Sequence, residues 1–397
     1  MLLLSISERI FFLICGSGIL QGLLLAFFLY FHPRSDRSVN LLLALYICCT
    51  SAIMSLPLII RLIGWYHNYY VQPLPFLSGP LLYLYIRAFK EKITWQKAFP
   101  HFIPFIAFSF LGYWNISAFI SDYPDTTQVK QVPDALLHRP STLFIIYAKP
   151  VQQIIYYFLA RRTLSTYQRS IRQLFSDTSR IDLRWGRFLI NGFLLLVLSF
   201  VVIFPLMLRY PDYFNLLLLI NMALATPYIY LAAYKGIMQP SIWQIRPAIS
   251  KEELEEELHQ VETIETQQKT PHTEPNSQRY EQISRDITRL MEVDHLYQES
   301  ELTLQELAAK LELPPYQVTL ALNEGMKKTF YDLVNGYRVA EAKRLLLDPK
   351  NAGYTILSVG YEAGFNSKTT FHTVFKKFTG STPTEYRNKH QLHPVEA

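Results

Sequence analysis

The first 234 residues contain seven apolar stretches, each near the roughly 20 residues that a helix needs to cross a bilayer. They run approximately over 10–31, 39–60, 71–89, 98–120, 141–160, 187–208 and 213–234. One such stretch could be a buried helix of a soluble domain, but seven in succession exceed what one globular core can cover. Pro73, Pro75 and Pro80 interrupt the third stretch. We therefore predict a mainly α fold that begins with a seven-span transmembrane helical domain.

The composition is typical of a membrane protein, and the sequence has few residue patterns that suggest catalysis or metal binding. Half of the residues are hydrophobic and only 18% are charged. Cys15, Cys48 and Cys49 all fall within apolar stretches, which favours packing over a disulfide framework or a zinc site. The sequence has no glycine-rich phosphate loop, no paired catalytic carboxylates and no His-Glu-x-x-His pattern. We expect no enzyme activity, no cofactor and no metal.

Basic residues are distributed unevenly between alternate loops. The first, third and fifth loops hold thirteen Lys and Arg residues, whereas the other segments outside the stretches hold five. Short basic loops stay in the cytoplasm, so we predict an external amino terminus and, after seven spans, a cytoplasmic carboxyl end. The first 31 residues lack a basic start and a small-residue cleavage site, which favours a retained span over a signal peptide. The expected location is the inner membrane of a bacterium.

Two helix-turn-helix patterns follow, over 302–325 and 355–378. In the first, Thr303 and Glu306 form a capping box and open a helix. Its apolar face has Leu304, Leu307, Ala308 and Leu311 at helical spacing, and Leu313-Pro314-Pro315 leads into a second helix from about Tyr316 to Glu324. We predict a helix, a tight turn and a second helix.

The second pattern repeats this arrangement. Thr355 is the expected cap and Gly364 suits a left-handed turn position. The following helix begins after Asn366 or Ser367 and has an expected core face of Phe371, Val374, Phe375 and Phe378. Asn335–Leu347 is predicted to be the connecting helix, and Gly380 and Pro383 mark the end of one helix and the start of a last one.

The last quarter of the chain resembles the DNA-binding domain of AraC-type transcription regulators. The resemblance is carried by Ala340-Glu341-Ala342-Lys343-Arg344-Leu345-Leu346, by Gly360-Tyr361-Glu362-Ala363-Gly364-Phe365-Asn366-Ser367 and by the run from Phe375 to Arg387. The rest is similar to a subgroup of that family with a multi-span membrane domain, through Ser78-Gly79-Pro80-Leu81-Leu82-Tyr83-Leu84-Tyr85-Ile86-Arg87 and His101-Phe102-Ile103-Pro104-Phe105. The resemblance implies a cytoplasmic all-α tandem helix-turn-helix domain.

The resemblance also implies how DNA is bound. The second helix of each unit, about 316–324 and 367–378, would enter adjacent major-groove segments about 34 Å apart. The expected base contacts are Gln317, Thr319, Leu320, Lys368, Thr369, His372 and Thr373. The expected phosphate contacts, which position the domain without reading bases, are Lys327, Lys328, Lys376 and Lys377. For each of these side chains the alternative is a solvent-facing position without a DNA contact.

Three positions depart from the family. Leu320 stands where a polar or basic residue is usual, and Thr373 stands where Arg is usual. Both departures remove possible DNA contacts, although Leu320 can still touch a thymine methyl group. Glu312 replaces a common Gly, so we expect modest strain if the turn is left-handed.

Charge separates three parts of the chain: 1–236 (the membrane domain), 237–278 (an acidic linker) and 279–392 (the DNA-binding domain). Residues 250–306 hold 15 acidic and 5 basic side chains, whereas 310–390 hold 12 basic and 7 acidic. The linker helix expected over 251–268, with Leu254, Leu258 and Val261 on one side, is either a solvated spacer or a short dimerising coil. Residues 269–278 are expected to be a flexible joint, and a helix over 279–294 opens the DNA-binding domain.

Lys149 is the one ionisable residue well inside an apolar stretch. It has either a structural role beside Pro150 or a role in ligand binding.

The sequence as a whole predicts a membrane-anchored, sequence-specific transcription regulator that couples an external or membrane cue to gene expression. Expected partners are double-stranded DNA, the lipid bilayer, RNA polymerase, a second copy of the chain and an unknown signal ligand. The alternative is a membrane transporter or membrane enzyme with a regulatory DNA-binding tail.

Overall fold

A computed structural model of the chain divides into two compact units. Unit 1 comprises residues 1–165 and 183–251, and unit 2 comprises residues 166–182 and 252–397. The structure describes residues 6–31, 37–55, 64–65, 72–125, 132–179, 181–210, 213–238, 256–257, 259–261, 277–351 and 353–391. Unit 2 therefore combines the carboxyl-terminal part of the chain with a short segment from its middle.

Apolar helices make up the amino-terminal part of the chain. They are α1 (Ile6–Phe31), α2 (Arg37–Met54), α3 (Pro75–Arg87), α4 (Trp95–Ala98), α5 (Ile103–Asp122), α6 (Asp134–Leu137), α7 (Pro140–Leu174), α8 (Arg184–Arg209) and α9 (Phe214–Met238). Each of the seven predicted stretches overlaps at least one of these helices. The mainly α fold class is confirmed, and within the described residues the backbone forms no strand beyond one isolated bridge.

Five helical segments are long and apolar enough to cross a membrane. By length and composition these are Arg37–Met54, Trp95–Asp122, Pro140–Leu174, Arg184–Arg209 and Leu216–Met238, and Gly16–Phe31 is a shorter apolar helix. The proline-interrupted third stretch forms only the 13 residues of α3. At 1.5 Å per residue, α3 spans about 20 Å, which is shorter than a hydrocarbon core of about 30 Å.

Unit 1 buries some hydrogen-bonded polar groups among its apolar side chains, and it also exposes large apolar side chains. The hydroxyl oxygens of Tyr46 and Tyr228 lie 2.7 Å apart, and the Tyr228 hydroxyl donates to the Leu189 carbonyl oxygen at 2.9 Å. These bonds link α2, α8 and α9. Phe110 is 72% exposed and Val202 is 62% exposed. Water disfavours such an outer surface, whereas lipid does not.

Unit 2 contains the shorter carboxyl-terminal helices. They are α10 (Ser277–Glu292), α11 (Leu304–Lys310), α12 (Pro315–Leu320), α13 (Phe330–Leu347), α14 (Ile356–Glu362), α15 (Lys368–Thr379) and α16 (Pro383–Gln391). A π-helical turn, Ala321–Gly325, follows α12. The connecting helix α13 begins five residues before its predicted start because Thr329 caps it, accepting from the Asp332 backbone N–H at 3.0 Å.

Two apolar clusters form the core of unit 2. One surrounds the second helix-turn-helix pattern and includes Val339, Ala342, Val359, Phe371 and Phe375. The other side chains with almost no exposure surround the first pattern: Ile287, Met291, Leu304, Leu307, Ala308, Val318 and Leu322. The predicted apolar faces of α10, α11, α13 and α15 thus supply the core of this unit.

Between α9 and α10 the acidic linker is described only at 256–257 and 259–261, so Leu254, Leu258 and most of the predicted flexible joint lie outside the described residues. Val261 is 3% exposed within the chain itself. The Gln305 side-chain amide donates to the Glu257 carboxylate. At Val261, therefore, the structure matches neither a solvated spacer nor a surface available for pairing with a second chain.

Candidate nucleic-acid interface

The first helix-turn-helix unit begins with the predicted capping box. The Thr303 backbone N–H donates to the Glu306 carboxylate at 2.7 Å, and the Glu306 backbone N–H donates to the Thr303 hydroxyl at 3.2 Å. After α11, Glu312 takes a φ of 54°, and the Leu313 N–H returns to the Ala308 carbonyl at 3.0 Å. The turn is left-handed at a residue with a side chain, as the departure from the family predicted.

The second helix of this unit exposes little of its surface. Thr319 is 1% exposed, and its hydroxyl donates to the Pro315 carbonyl at 3.2 Å. Gln317 is half-buried and its side-chain oxygen accepts from the Arg279 guanidinium at 2.7 Å. Leu320 is also half-buried. Burial places Thr319 in the packing of α12, which removes it from the set of side chains that can reach a base.

The second unit has a glycine at the equivalent turn. Thr355 caps α14 by accepting from the Ser358 N–H at 3.0 Å, as predicted. Gly364 has a φ of 91°, and a Cβ added there would lie 2.6 Å from the Tyr297 carbonyl oxygen. Both the conformation and the available space therefore require glycine at this position.

Aromatic side chains pack the buried face of helix α15 against the core. Ser367 caps it, accepting from the Thr370 N–H at 3.1 Å. The Phe371 and Phe375 rings meet edge to face with centroids 5.6 Å apart, and Phe371 lies against the bare Cα of Gly360. The predicted core position Phe378 is instead 38% exposed. It lies in the last turn of α15, near Gly336 of α13 but not enclosed by it.

The opposite face of α15 is open. Lys368, Thr369 and Thr373 are exposed, and Lys368 and Thr369 occupy the first turn. His372 is half-buried, and its Nε2 has no hydrogen-bond partner in the part of the chain that the structure describes. Helices that read the major groove use residues near their amino-terminal end. The geometry suits that use at α15 more than at α12.

The four predicted phosphate-binding lysines are all exposed. Lys327 pairs with Glu324 at 3.1 Å, and Lys377 pairs with Asp332 at 2.8 Å. Such surface pairs contribute little stability, so a phosphate can replace the carboxylate partner. Lys327 and Lys328 also lead directly into the cap of α13, where the helix dipole favours an anion.

Arg338 is a central residue that the sequence analysis missed. Its guanidinium is fully buried, and it donates to the carbonyls of Tyr297 at 2.8 Å and Glu299 at 2.7 Å. The same group lies 5.8 Å above the Phe365 ring, in the turn of the second unit. Arg338 therefore links the loop before the first unit to the turn of the second.

Burial lowers the pKa of Arg338 to about 10, while the nearby Asp177 carboxylate acts in the opposite direction. The side chain still carries its charge at neutral pH. Its position gave a signal, because Arg338, Ala342 and Leu345 share one face of the connecting helix. A charged residue on the core face of a helix is expected to have its hydrogen bonds satisfied within the protein and to have a structural role.

Two further polar residues of interest, Arg279 and Lys149, lie outside α12 and α15. Arg279, also missed from the sequence, is exposed at the start of α10 and holds Gln317. Lys149 is 8% exposed in α7. Within the described residues, no three His, Cys, Asp or Glu side chains are grouped to hold a metal ion.

Two helix-turn-helix units joined by one helix, with an open face on the second, define a tandem helix-turn-helix module of the DNA-binding class. Residues 288–389 match a family model described as a helix-turn-helix domain, and they form an AraC-type domain. This confirms the resemblance over the carboxyl-terminal part of the chain and points to a regulator. Neither the curated proteins nor the solved structures that were compared with the chain gave a match.

Proposed function

We propose that this protein is a sequence-specific transcription regulator anchored in a membrane, with its DNA-binding domain in the cytoplasm. The observation that carries the proposal is the open, basic first turn of α15 on an AraC-type domain. The same chain has five helical segments suited to a bilayer. A single polypeptide thus combines a lipid-compatible part with a part suited to a DNA duplex.

The proposed base contacts are Lys368, Thr369, His372 and Thr373 on α15, with Gln317 and Leu320 as lesser contributors from α12. Lys368 suits the acceptor atoms of guanine, and the threonines can bond to more than one base. The proposed phosphate contacts are Lys327, Lys328, Lys376 and Lys377. They fix the domain on the duplex and make its affinity depend on salt.

The test is a selection of bound duplexes from a random-sequence pool by the full chain in lipid nanodiscs. We expect one preferred sequence class. Lys368→Ala combined with His372→Ala should then lower the ratio of selected to random affinity about 100-fold, because each lost base contact costs about 1–3 kcal/mol.

The matched control is Lys350→Ala, which removes an equally exposed lysine outside the proposed face. It should change neither affinity by more than about twofold, since surface substitutions away from contacts have small effects. Unchanged discrimination in the double variant, with a preferred sequence present for the wild type, would remove α15 from base reading.

The membrane location is proposed from the apolar outer surface of unit 1. The orientation is proposed from the loop charges, with the amino terminus outside and the carboxyl end inside. A fluorescent reporter fused after Ala397 should be active in the cytoplasm of a bacterial host, and the chain should require detergent for extraction. Extraction with salt alone would contradict membrane insertion.

A signal ligand is the remaining part of the proposal. Lys149 is the candidate group, because a buried lysine in an apolar segment is costly and commonly serves a function. It suits an anionic ligand. The same observation supports the second candidate function, a transporter with a regulatory tail. Uptake of labelled anions by vesicles that contain the protein would favour transport, and its absence alongside DNA selection would favour regulation.

A further inference from the structure

The segment 166–182, which comprises the end of α7 and the loop after it, belongs to unit 2 although residues 183–251 of unit 1 separate it from the rest of that unit. Its apolar side chains are buried, with Ile171, Leu174 and Phe175 each under 5% exposed. Connecting loops normally run over a surface, where water satisfies their backbone. The burial of this loop therefore calls for partners in the protein.

Those partners come from the DNA-binding part of the chain. Ser176 is fully buried, and its hydroxyl donates to the Leu302 carbonyl at 2.7 Å. The Ser176 carbonyl accepts from the Asn335 side-chain amide at 2.8 Å, and its hydroxyl also accepts from Arg338 at 3.3 Å. One serine thus joins the loop before the first helix-turn-helix unit to the connecting helix.

Two further contacts extend this attachment. The Gln173 side-chain amide donates to the Asn323 side-chain oxygen at 3.2 Å, just beyond α12. The Arg172 guanidinium lies 5.6 Å above the Tyr331 ring at the start of the connecting helix. Arg338 in turn lies over the Phe365 ring in the second helix-turn-helix unit. The segment therefore contacts residues that link the two helix-turn-helix units to each other.

Helix α7 is also the route from the segment to the apolar helices. It continues without a break over the 35 residues Pro140–Leu174, about 52 Å at 1.5 Å per residue. A hydrocarbon core takes up only about 30 Å of that length. A continuous helix can therefore carry a displacement along its axis from the apolar helices to the segment.

We propose that residues 166–182 are an internal brace of the DNA-binding domain and the path by which a change in the apolar helices alters DNA binding. When residues 166–182 are bound in the core of unit 2, the two helix-turn-helix units keep the relative position that lets both contact DNA at once. When the brace is displaced, the units lose their fixed placement and affinity falls. This inference rests on the function proposed above.

The first test uses Ser176→Trp in the full chain in nanodiscs, with Ser165→Trp as its matched control. Ser165 is an exposed serine one residue before the segment. Coupling between sites commonly changes affinity 5- to 150-fold, so we expect Ser176→Trp to weaken binding of the selected duplex roughly tenfold or more. The control should stay within about twofold. Equal affinity for the two variants would overturn the proposal.

The second test covers the case in which Ser176→Trp fails to fold. Gln173→Cys with Asn323→Cys is placed in a chain whose Cys15, Cys48 and Cys49 are serine, and is treated with dibromobimane, which fluoresces after linking two near thiols. We expect fluorescence in the double variant and not in either single variant, and an unchanged Kd for the selected duplex after linking. An absent link, or loss of DNA binding on linking, would overturn the brace.

The two proposals fail in different ways. If the wild-type chain selects no duplex, the proposed function is wrong, while the thiol link still reports whether the brace is seated. If a duplex is selected but the link does not form, the function stands and the brace is wrong.

Discussion

The two helix-turn-helix units have the same order of helices but different surfaces. In the first, α12 continues as the π-helical turn Ala321–Gly325, Thr319 is buried, and the Gln317 side-chain oxygen accepts a hydrogen bond from Arg279. In the second, α15 has twelve residues and an open first turn with Lys368 and Thr369 exposed. We infer that the second unit contributes most of the base discrimination, while the first mainly positions the domain.

The turns differ in the same direction. Each unit needs one residue in the left-handed region, and the first fills it with Glu312 whereas the second uses Gly364. The left-handed conformation costs a residue with a Cβ roughly 1–2 kcal/mol. The backbone of the second helix-turn-helix unit is therefore the less strained of the two at this turn position. That turn also has no room for a side chain.

The largest effect is expected from Gly364→Ala. The added Cβ meets the Tyr297 carbonyl oxygen at 2.6 Å and must also adopt positive φ. Strain and the clash together should lower the free energy of unfolding of the DNA-binding domain by about 3 kcal/mol. Hydrogen exchange of the full chain, read in the amides of 355–378, measures the loss.

Gly353→Ala is the matched control for that substitution, because an added Cβ there meets nothing within 4 Å. It should leave exchange unchanged or slightly slower. Similar effects from the two substitutions would mean that the turn of the second unit tolerates a side chain, and the contrast between the turns would disappear.

An intermediate effect is expected from single alanine substitutions in α12 and α15, the two helices proposed to contact DNA. Lys368→Ala should lower the ratio of selected to random affinity about tenfold, and Gln317→Ala about threefold, from contact energies of 1–3 kcal/mol. The difference arises because Arg279 already holds the Gln317 side chain. Fluorescence anisotropy with both duplexes gives the two ratios, and a larger loss at Gln317 would reverse the order of the units.

The smallest effect is expected from Glu312→Gly. Removing the Cβ relieves left-handed strain but increases the freedom of the unfolded chain, for a net gain in stability of at most about 1 kcal/mol. Glu312→Ala retains the Cβ and should give no gain. Thermal unfolding of both variants decides the point: a stabilised alanine variant would show that the glutamate charge, and not the backbone, is the source of the effect.

The sequence by itself determined the elements that depend on neighbours along the chain. The apolar stretches, the caps at Thr303 and Thr355 and the left-handed Gly364 all follow from spacing and local chemistry, which act within one or two helical turns. The same local reasoning predicted the exposed lysines. It was wrong at Phe378, which is 38% exposed, because helical spacing assigns a side chain to a face but does not reveal how fully neighbouring helices cover that face.

Only the tertiary structure decided which distant segments meet. Three observations depend on contacts between residues far apart in sequence. Ser176 lies against Leu302 and Asn335, Arg338 is buried, and Thr319 is buried. Local periodicity assigns a side chain to a face of its helix, but burial of that face requires a partner from elsewhere in the chain. For Leu302, Asn335 and Arg338, that partner is the loop after α7, whose basic composition predicts a position at the cytoplasmic surface.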